Sequence, residues 1–167
     1  MSTKLYWVAG PWPGKLAIAA RPRGGDWLEE DIRAWHTSGV TAVMSLLTHE
    51  EARELELTSE CAMATREGMD FYSLPILDRQ VPRSPSPVAA ILDDLATDLE
   101  SGKHAVIHCR QGIGRSGMIA ACLLVMRGMN PNSAVSEVEH ARGLAVPETD
   151  EQRRWIDLFA SWLAKVN

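Results

Sequence analysis

His108-Cys109-Arg110-Gln111-Gly112-Ile113-Gly114-Arg115-Ser116-Gly117 is the stretch that decides how this chain is read. The apolar run Ala105-Val106-Ile107 leads into Cys109, an arginine follows six positions on, and a long apolar segment begins after Ser116. That order predicts a strand, a tight loop and a helix. A thiol stands where the loop begins and a guanidinium where it closes.

A loop that passes from the end of a strand into a helix N-terminus turns several backbone N–H groups inward, and the helix end adds partial positive charge. A dianion is well placed there. Gly112 and Gly114 carry no side chain to keep a ligand away. The segment Arg110, Gln111, Gly112, Ile113 and Gly114 is therefore expected to cradle a phosphate, with Arg115 meeting two of its oxygens through a planar fork. Cys109 sits in the same field, and the thiolate is the reactive form of a cysteine. Nucleophilic work at neutral pH asks for roughly 4 kcal/mol of thiolate stabilisation. A helix dipole supplies at most about 2 kcal/mol of it. Loop N–H groups, Arg115 and the Ser116 hydroxyl are the available source of the rest.

The other cysteines act as a control. Cys61 and Cys122 are each followed by an arginine five residues on, Arg66 and Arg127, but neither interval holds a glycine and both lie in helix-like sequence. Cys122 reads as a small core residue and Cys61 as an ordinary one.

Outward from the loop, strands alternate with helices. Residues 4–8 and 16–19 read as short strands around the turn Gly10-Pro11-Trp12-Pro13-Gly14. Residues 27–38 form a helical pattern with Leu28, Ile32 and Trp35 on one face, and 40–47 a strand covered on both faces. The acidic stretch 50–67 predicts one or two short exposed helices, and the acidic run around residues 50–60 reads as a solvated face. Residues 71–74 read as a strand and 75–85 as a loop with three prolines. Ser86 is a good N-cap with Pro87 at the first helical position, ahead of a face of Val88, Ile91, Leu92, Leu95 and Leu99. The strand 104–108 and a buried helix 116–127 precede two last helices, near 131–142 and 151–164. Trp27 with Trp35, and Trp155 with Trp162, read as core packing. The whole predicts an α/β fold in which a mostly parallel sheet of four or five strands is flanked by helices, with residues 1–167 as a single domain.

Two rival phosphate loops are excluded by context. Gly112-Ile113-Gly114-Arg115-Ser116-Gly117 fits the dinucleotide fingerprint, and Glu137 stands about 20 positions on. Glu137, however, falls in a helical pattern, and no second strand follows to complete a βαβ unit. The string G-x-x-x-x-G-K-[ST] of nucleotide triphosphatases does not occur.

Composition narrows the class. The chain has 167 residues, 46% hydrophobic and 23% charged, enough for a proper core. A net charge of −5 argues against nucleic acid or anionic membrane as a partner, so attraction for phosphate must be local. Three cysteines argue against a disulfide framework and for a reduced, cytoplasmic setting. The apolar run 118–126 is shorter than the roughly 20 residues of a membrane span. Residues 1–15 lack the apolar centre of a leader. No histidine has zinc-like spacing with a cysteine, so neither metal nor cofactor is expected.

His108-Cys109-x-x-Gly112-x-x-Arg115-Ser116 resembles the active-site signature of the cysteine-dependent protein tyrosine phosphatases. Gly112-Ile113-Gly114-Arg115-Ser116-Gly117 is most similar to their dual-specificity branch. Leu74-Pro75-Ile76-Leu77-Asp78-Arg79-Gln80-Val81-Pro82 resembles that family's general-acid loop. The run Ser45-Leu46-Leu47-Thr48 is similar to the cyclin-dependent-kinase-associated phosphatases. The resemblance spans roughly residues 40–160. It implies attack on phosphorus by Cys109, a phosphocysteine, and hydrolysis by water, with Asp78 as acid and then base. Asp78 lies 31 residues before Cys109. Ser116 would help the thiolate leave, and His108 would orient the loop from behind. Pro75 and Pro82 would stiffen a loop able to close.

Each role has a plainer counterpart. Asp78 also suits a turn, and Arg110 and Gln111 either touch substrate or stay solvated. Gln152 corresponds either to the family's water-positioning glutamine or to the partner of Thr149 in a capping box, which the spacing favours. The expected substrate is a phosphoprotein, phosphotyrosine first. The alternatives are a sugar, phosphoinositide or RNA 5′ phosphate, or a phosphate-binding module without turnover.

Overall fold

The computed structural model describes residues 2–167. Five strands form one sheet: β1 (Tyr6–Val8), β2 (Leu16–Ala20), β3 (Val40–Ser45), β4 (Asp70–Ser73) and β5 (His104–Cys109), in the spatial order β1-β2-β5-β3-β4. Only the β1–β2 pair is antiparallel. The helices are α1 (Leu28–Thr37), α2 (His49–Glu54), α3 (Glu60–Arg66), α4 (Pro85–Glu100), α5 (Arg115–Met126), α6 (Pro131–Arg142) and α7 (Asp150–Val166). This is the mostly parallel α/β sheet that the alternation of strands and helices predicts.

The central position of β5 follows from its sequence. All but His104 of its six residues are buried, as a strand flanked on both edges and both faces requires. Side chains alternate, so Ala105, Ile107 and Cys109 face the larger core. That core holds α4, α5 and α7, with Leu92, Leu95, Ile119, Leu123, Ile156 and Phe159 fully buried. Val106 faces the smaller core under α1 and α3, built on Leu28, Ile32 and Trp35. His108 shares its phase and packs on Trp35, ring centroids 5.8 Å apart. Period two thus sends the thiol and the imidazole to opposite faces of one strand end.

Four expectations are corrected. α4 begins two residues earlier than expected: Ser84, in place of Ser86, takes the N-cap place and Pro85, in place of Pro87, the first helical position. Either proline suits a helix start, since neither needs a donor there, so spacing alone could not choose. Trp27 is 55% exposed, because the chain enters α1 through a short 3₁₀ turn, Gly25–Trp27, that turns its ring out beneath the Arg23 guanidinium. Trp162 is only partly buried and stacks on Phe159. The acidic stretch does form two helices, α2 and α3, but it is not wholly a solvated face: Glu51 and Glu60 are buried. Among the described residues no helix is long and apolar enough to cross a membrane.

Candidate active site

The loop between β5 and α5 lies at the C-terminal end of the parallel strands. Cys109, the last residue of β5, stands at its entrance, 3% exposed, with its Sγ 3.3 Å from the Ser116 Oγ. Ser116 is itself fully buried in the first turn of α5. A pocket opens here, lined by Asp78, Cys109, Arg110, Gln111, Gly114, Arg115 and Glu148. The structure therefore brings together most of the residues that the sequence singles out. Ile113 turns its side chain against the core and offers only backbone to the loop.

Gly112 also has a structural reason within the fold. Gly112 has φ +70°, and a Cβ there would sit 2.5–2.7 Å from the backbone of Ala19 and Ala20 on β2. The neighbouring strand by itself leaves no room for a side chain there. Behind the loop, Arg142 of α6 donates to the carbonyl oxygens of Gly112 at 2.9 Å and Gln111 at 3.4 Å. Its guanidinium lies over the Tyr6 ring, 4.1 Å from the centroid. A trans peptide has its C=O and N–H on opposite sides, so gripping these carbonyls directs the N–H groups of Gly112 and Ile113 away from Arg142.

Arg115 is 1% exposed and fully engaged along its outer edge. Nη1 donates to Glu51 Oε2 at 2.7 Å and to the Ile76 carbonyl at 2.8 Å; Nη2 donates to Glu51 Oε1 at 2.9 Å and Asp78 Oδ1 at 3.1 Å. Burial opposes the charge of Arg115. The Glu51 bonds, with the nearby Cys109, Glu51 and Asp78 side chains, outweigh burial and hold the group above its ordinary range. Burial likewise opposes the charge of Glu51. Its bonds from Arg115, the Thr48 N–H and Arg110 prevail, and its pKa falls to about 2. Arg110 leans on the same carboxylate, Nε to Glu51 Oε1 at 3.4 Å, and on Glu54.

His108 is fully buried behind the loop, with Nε2 2.6 Å from Glu60 Oε1. Its Nδ1 has no partner among the described residues. Gln152 is also fully buried and does not line the pocket. It completes the capping box with Thr149, and its Nε2 donates to the Gln80 carbonyl at 3.1 Å. The helix-cap reading holds, and the side chain also tethers the loop that carries Asp78.

Sequence reasoning misses Glu51, Glu60, Glu148, Arg79 and Arg142. Thr48-x-x-Glu51 is legible as a capping box, and that box does form. Nothing local marks the other four. No group of acidic, histidine and cysteine side chains fit to hold a metal occurs among the described residues.

A family model described as the DSP-PTPase phosphatase domain of the Swiss Army Knife proteins (PTP-SAK) matches residues 4–155. The chain belongs to this family. Among curated proteins this phosphatase domain is 27% identical over 139 residues to the Rattus norvegicus cyclin-dependent kinase inhibitor 3, a match covering 82% of this chain and 65% of that protein. It is 29% identical over 164 residues to the putative tyrosine phosphatase 197R of invertebrate iridescent virus 6, covering 95% of this chain and 58% of the viral protein. The chain thus spans somewhat less than two thirds of the length of these relatives. Its fold is that of kinase associated phosphatase, solved with its catalytic-site cysteine replaced by serine: TM-score 0.89, 21% identity, 98% and 97% of the two chains covered. Tk-PTP, solved in its active form, superposes with TM-score 0.74 at 26% identity over 94% and 96%.

Proposed function

We propose that this dual-specificity-type phosphatase domain, residues 1–167, hydrolyses phosphate monoesters through a phosphocysteine on Cys109, with phosphotyrosine in a protein as its substrate. The observation that carries the reading is the Cys109 thiol in a pocket it shares with Arg115 and Asp78, with the Ser116 hydroxyl 3.3 Å away.

The chemistry follows from these atoms. The phosphoryl group enters the loop, held by its N–H groups and Arg115. Sγ attacks phosphorus in line as the ester P–O bond breaks, and Asp78 gives its proton to the leaving oxygen. Arg115 shares Nη2 with Asp78 before substrate arrives; a bound phosphoryl oxygen competes for that N–H and releases the Asp78 side chain toward the leaving oxygen. In the second step water attacks phosphorus and yields a proton to Asp78 while the P–S bond breaks. The Ser116 O–H donates to the departing thiolate, and inorganic phosphate leaves.

Two features favour a phosphoprotein over a polyphosphorylated small molecule. Extra phosphates need free cations near the pocket. Here Arg110 and Arg115 both lean on Glu51, and Arg79 is paired with Glu148. The curated relatives carry the names of a cyclin-dependent kinase inhibitor and a tyrosine phosphatase. Three free cysteines, among them the proposed nucleophile, suit a reducing cytoplasm.

The test is turnover of a phosphotyrosine peptide, a phosphoserine peptide, a phosphoinositide and an RNA 5′ phosphate by wild type and Cys109→Ser. Highest kcat/KM on the phosphotyrosine peptide, abolished in the variant, is expected. Retained hydrolysis in Cys109→Ser overturns the mechanism, and preference for a non-protein phosphate overturns the substrate.

A further inference from the structure

The acid loop between β4 and α4 contains a backbone strain that its sequence does not require. Arg79, next to Asp78, has φ +61°, a region that side chains other than glycine and asparagine rarely enter. Such an outlier persists where surrounding contacts over-determine it. The contact is on the opposite wall of the pocket: Arg79 Nη1 donates to Glu148 Oε1 at 2.7 Å. The next residue is held as well, through Gln152 Nε2 and the Gln80 carbonyl at 3.1 Å.

Both anchors belong to one rigid support. Glu148 immediately precedes the N-cap Thr149 of α7, and Gln152 closes that cap's box. Gly114 lets the support come this close: a Cβ on it would lie 3.0 Å from Glu148 Cβ, Glu148 Oε2 and Gln152 Oε1. The phosphate loop, the α7 cap and residues 79–80 of the acid loop are therefore in contact in that order. Asp78 is fixed from one side by Arg115 Nη2 and from the other by its neighbours.

From this geometry we propose that Arg79 and Glu148 form a latch across the pocket mouth that holds the acid loop closed, making both positioning residues for Asp78. This rests on the reading of Asp78 as the proton donor. The side chains of Arg79 and Glu148 are 60% and 32% exposed, and an isolated pair of that exposure contributes little to stability. Its consequence falls on the placement of Asp78 rather than on global unfolding.

The experiment compares wild type, Arg79→Ala, Glu148→Gln, the double variant and Asp78→Asn by two measurements on the full chain. The first is kcat/KM for aryl phosphates of graded leaving-group basicity; the second is hydrogen exchange of the backbone amides of residues 77–81. Each latch variant is expected to lose about tenfold more rate with the poorest leaving group than with the best, as Asp78→Asn does to a greater extent. The double variant is expected to be no worse than either single one. The Gln80 amide, bonded to the Leu77 carbonyl at 3.0 Å, is expected to exchange at least tenfold faster in Glu148→Gln. Equal losses across leaving groups, additive effects or unaltered exchange overturn the latch. If Asp78→Asn itself shows no leaving-group dependence, the proton-donor reading fails, and exchange alone then decides whether the latch exists.

Discussion

Glu51 and Arg115, 64 residues apart in sequence, meet in two hydrogen bonds of 2.7 and 2.9 Å. The contact joins the first turn of α2 to the first turn of α5, so one carboxylate both caps its own helix and holds a guanidinium that lines the pocket. Removing the carboxylate leaves a buried cation with fewer partners. Glu51→Gln is expected to cost about 3–5 kcal/mol in urea unfolding, the range for breaking a buried pair. A drop in kcat/KM of at least tenfold should accompany it. Stability within about 0.5 kcal/mol of wild type would contradict the pairing.

The same pair sets an acid limit. Glu51 has a pKa of about 2 in the folded protein against an ordinary 4.5. Because the folded value is the lower one, the unfolded chain binds the extra proton as pH falls. The contribution is complete above about pH 4.5 and is lost as pH drops toward 2, with a size on the order of 3 kcal/mol. Urea midpoints measured from pH 6 to pH 2 should fall less steeply in Glu51→Gln than in wild type.

Gly112→Ala is expected to damage the loop more than the same change at an equally left-handed glycine elsewhere. A Cβ at Gly112, φ +70°, would meet β2 backbone, whereas one at Gly68, φ +81°, would find nothing within 4 Å. Gly68→Ala should therefore cost only the backbone contribution of about 1 kcal/mol. Gly112→Ala should cost several times that, since neither Ala19 nor Ala20 can move without disturbing the β2–β5 pairing. Equal unfolding midpoints for the two variants would count against this.

Glu60→Leu should strand the His108 imidazole, whose ring nitrogens would then both lack a partner among the described residues. A buried polar group left unpaired costs roughly 1–3 kcal/mol. Urea unfolding of Glu60→Leu against wild type measures this loss. Glu60→Gln, which can still bond to the ring, should recover most of the stability.

Much of this architecture is legible in the sequence because it is local. The order strand, loop, helix around Cys109 follows from residue pattern, and so do β5, α5 and the cap of α7. What stays hidden depends on contacts across the fold. Glu51 and Glu60 read as surface charges because their segment is acidic, and their burial goes with partners distant in sequence, Arg115 and His108. Gln152 reads as a cap or a catalytic residue, and its second bond, to Gln80, spans 72 residues that no local pattern connects. Arg79 and Glu148 face each other over 69 residues. Trp27 escapes for a different reason: one 3₁₀ turn ahead of α1 is enough to rotate a side chain out of the apolar face.

The phosphocysteine on Cys109 is tested most directly by an acid quench of the enzyme during turnover of a radiolabelled aryl phosphate, followed by peptide mapping. Label is expected on the peptide that contains Cys109, lost in Cys109→Ser and accumulating further in Asp78→Asn with a good leaving group. Undiminished turnover with no covalent phosphate, or label on another residue, would contradict it.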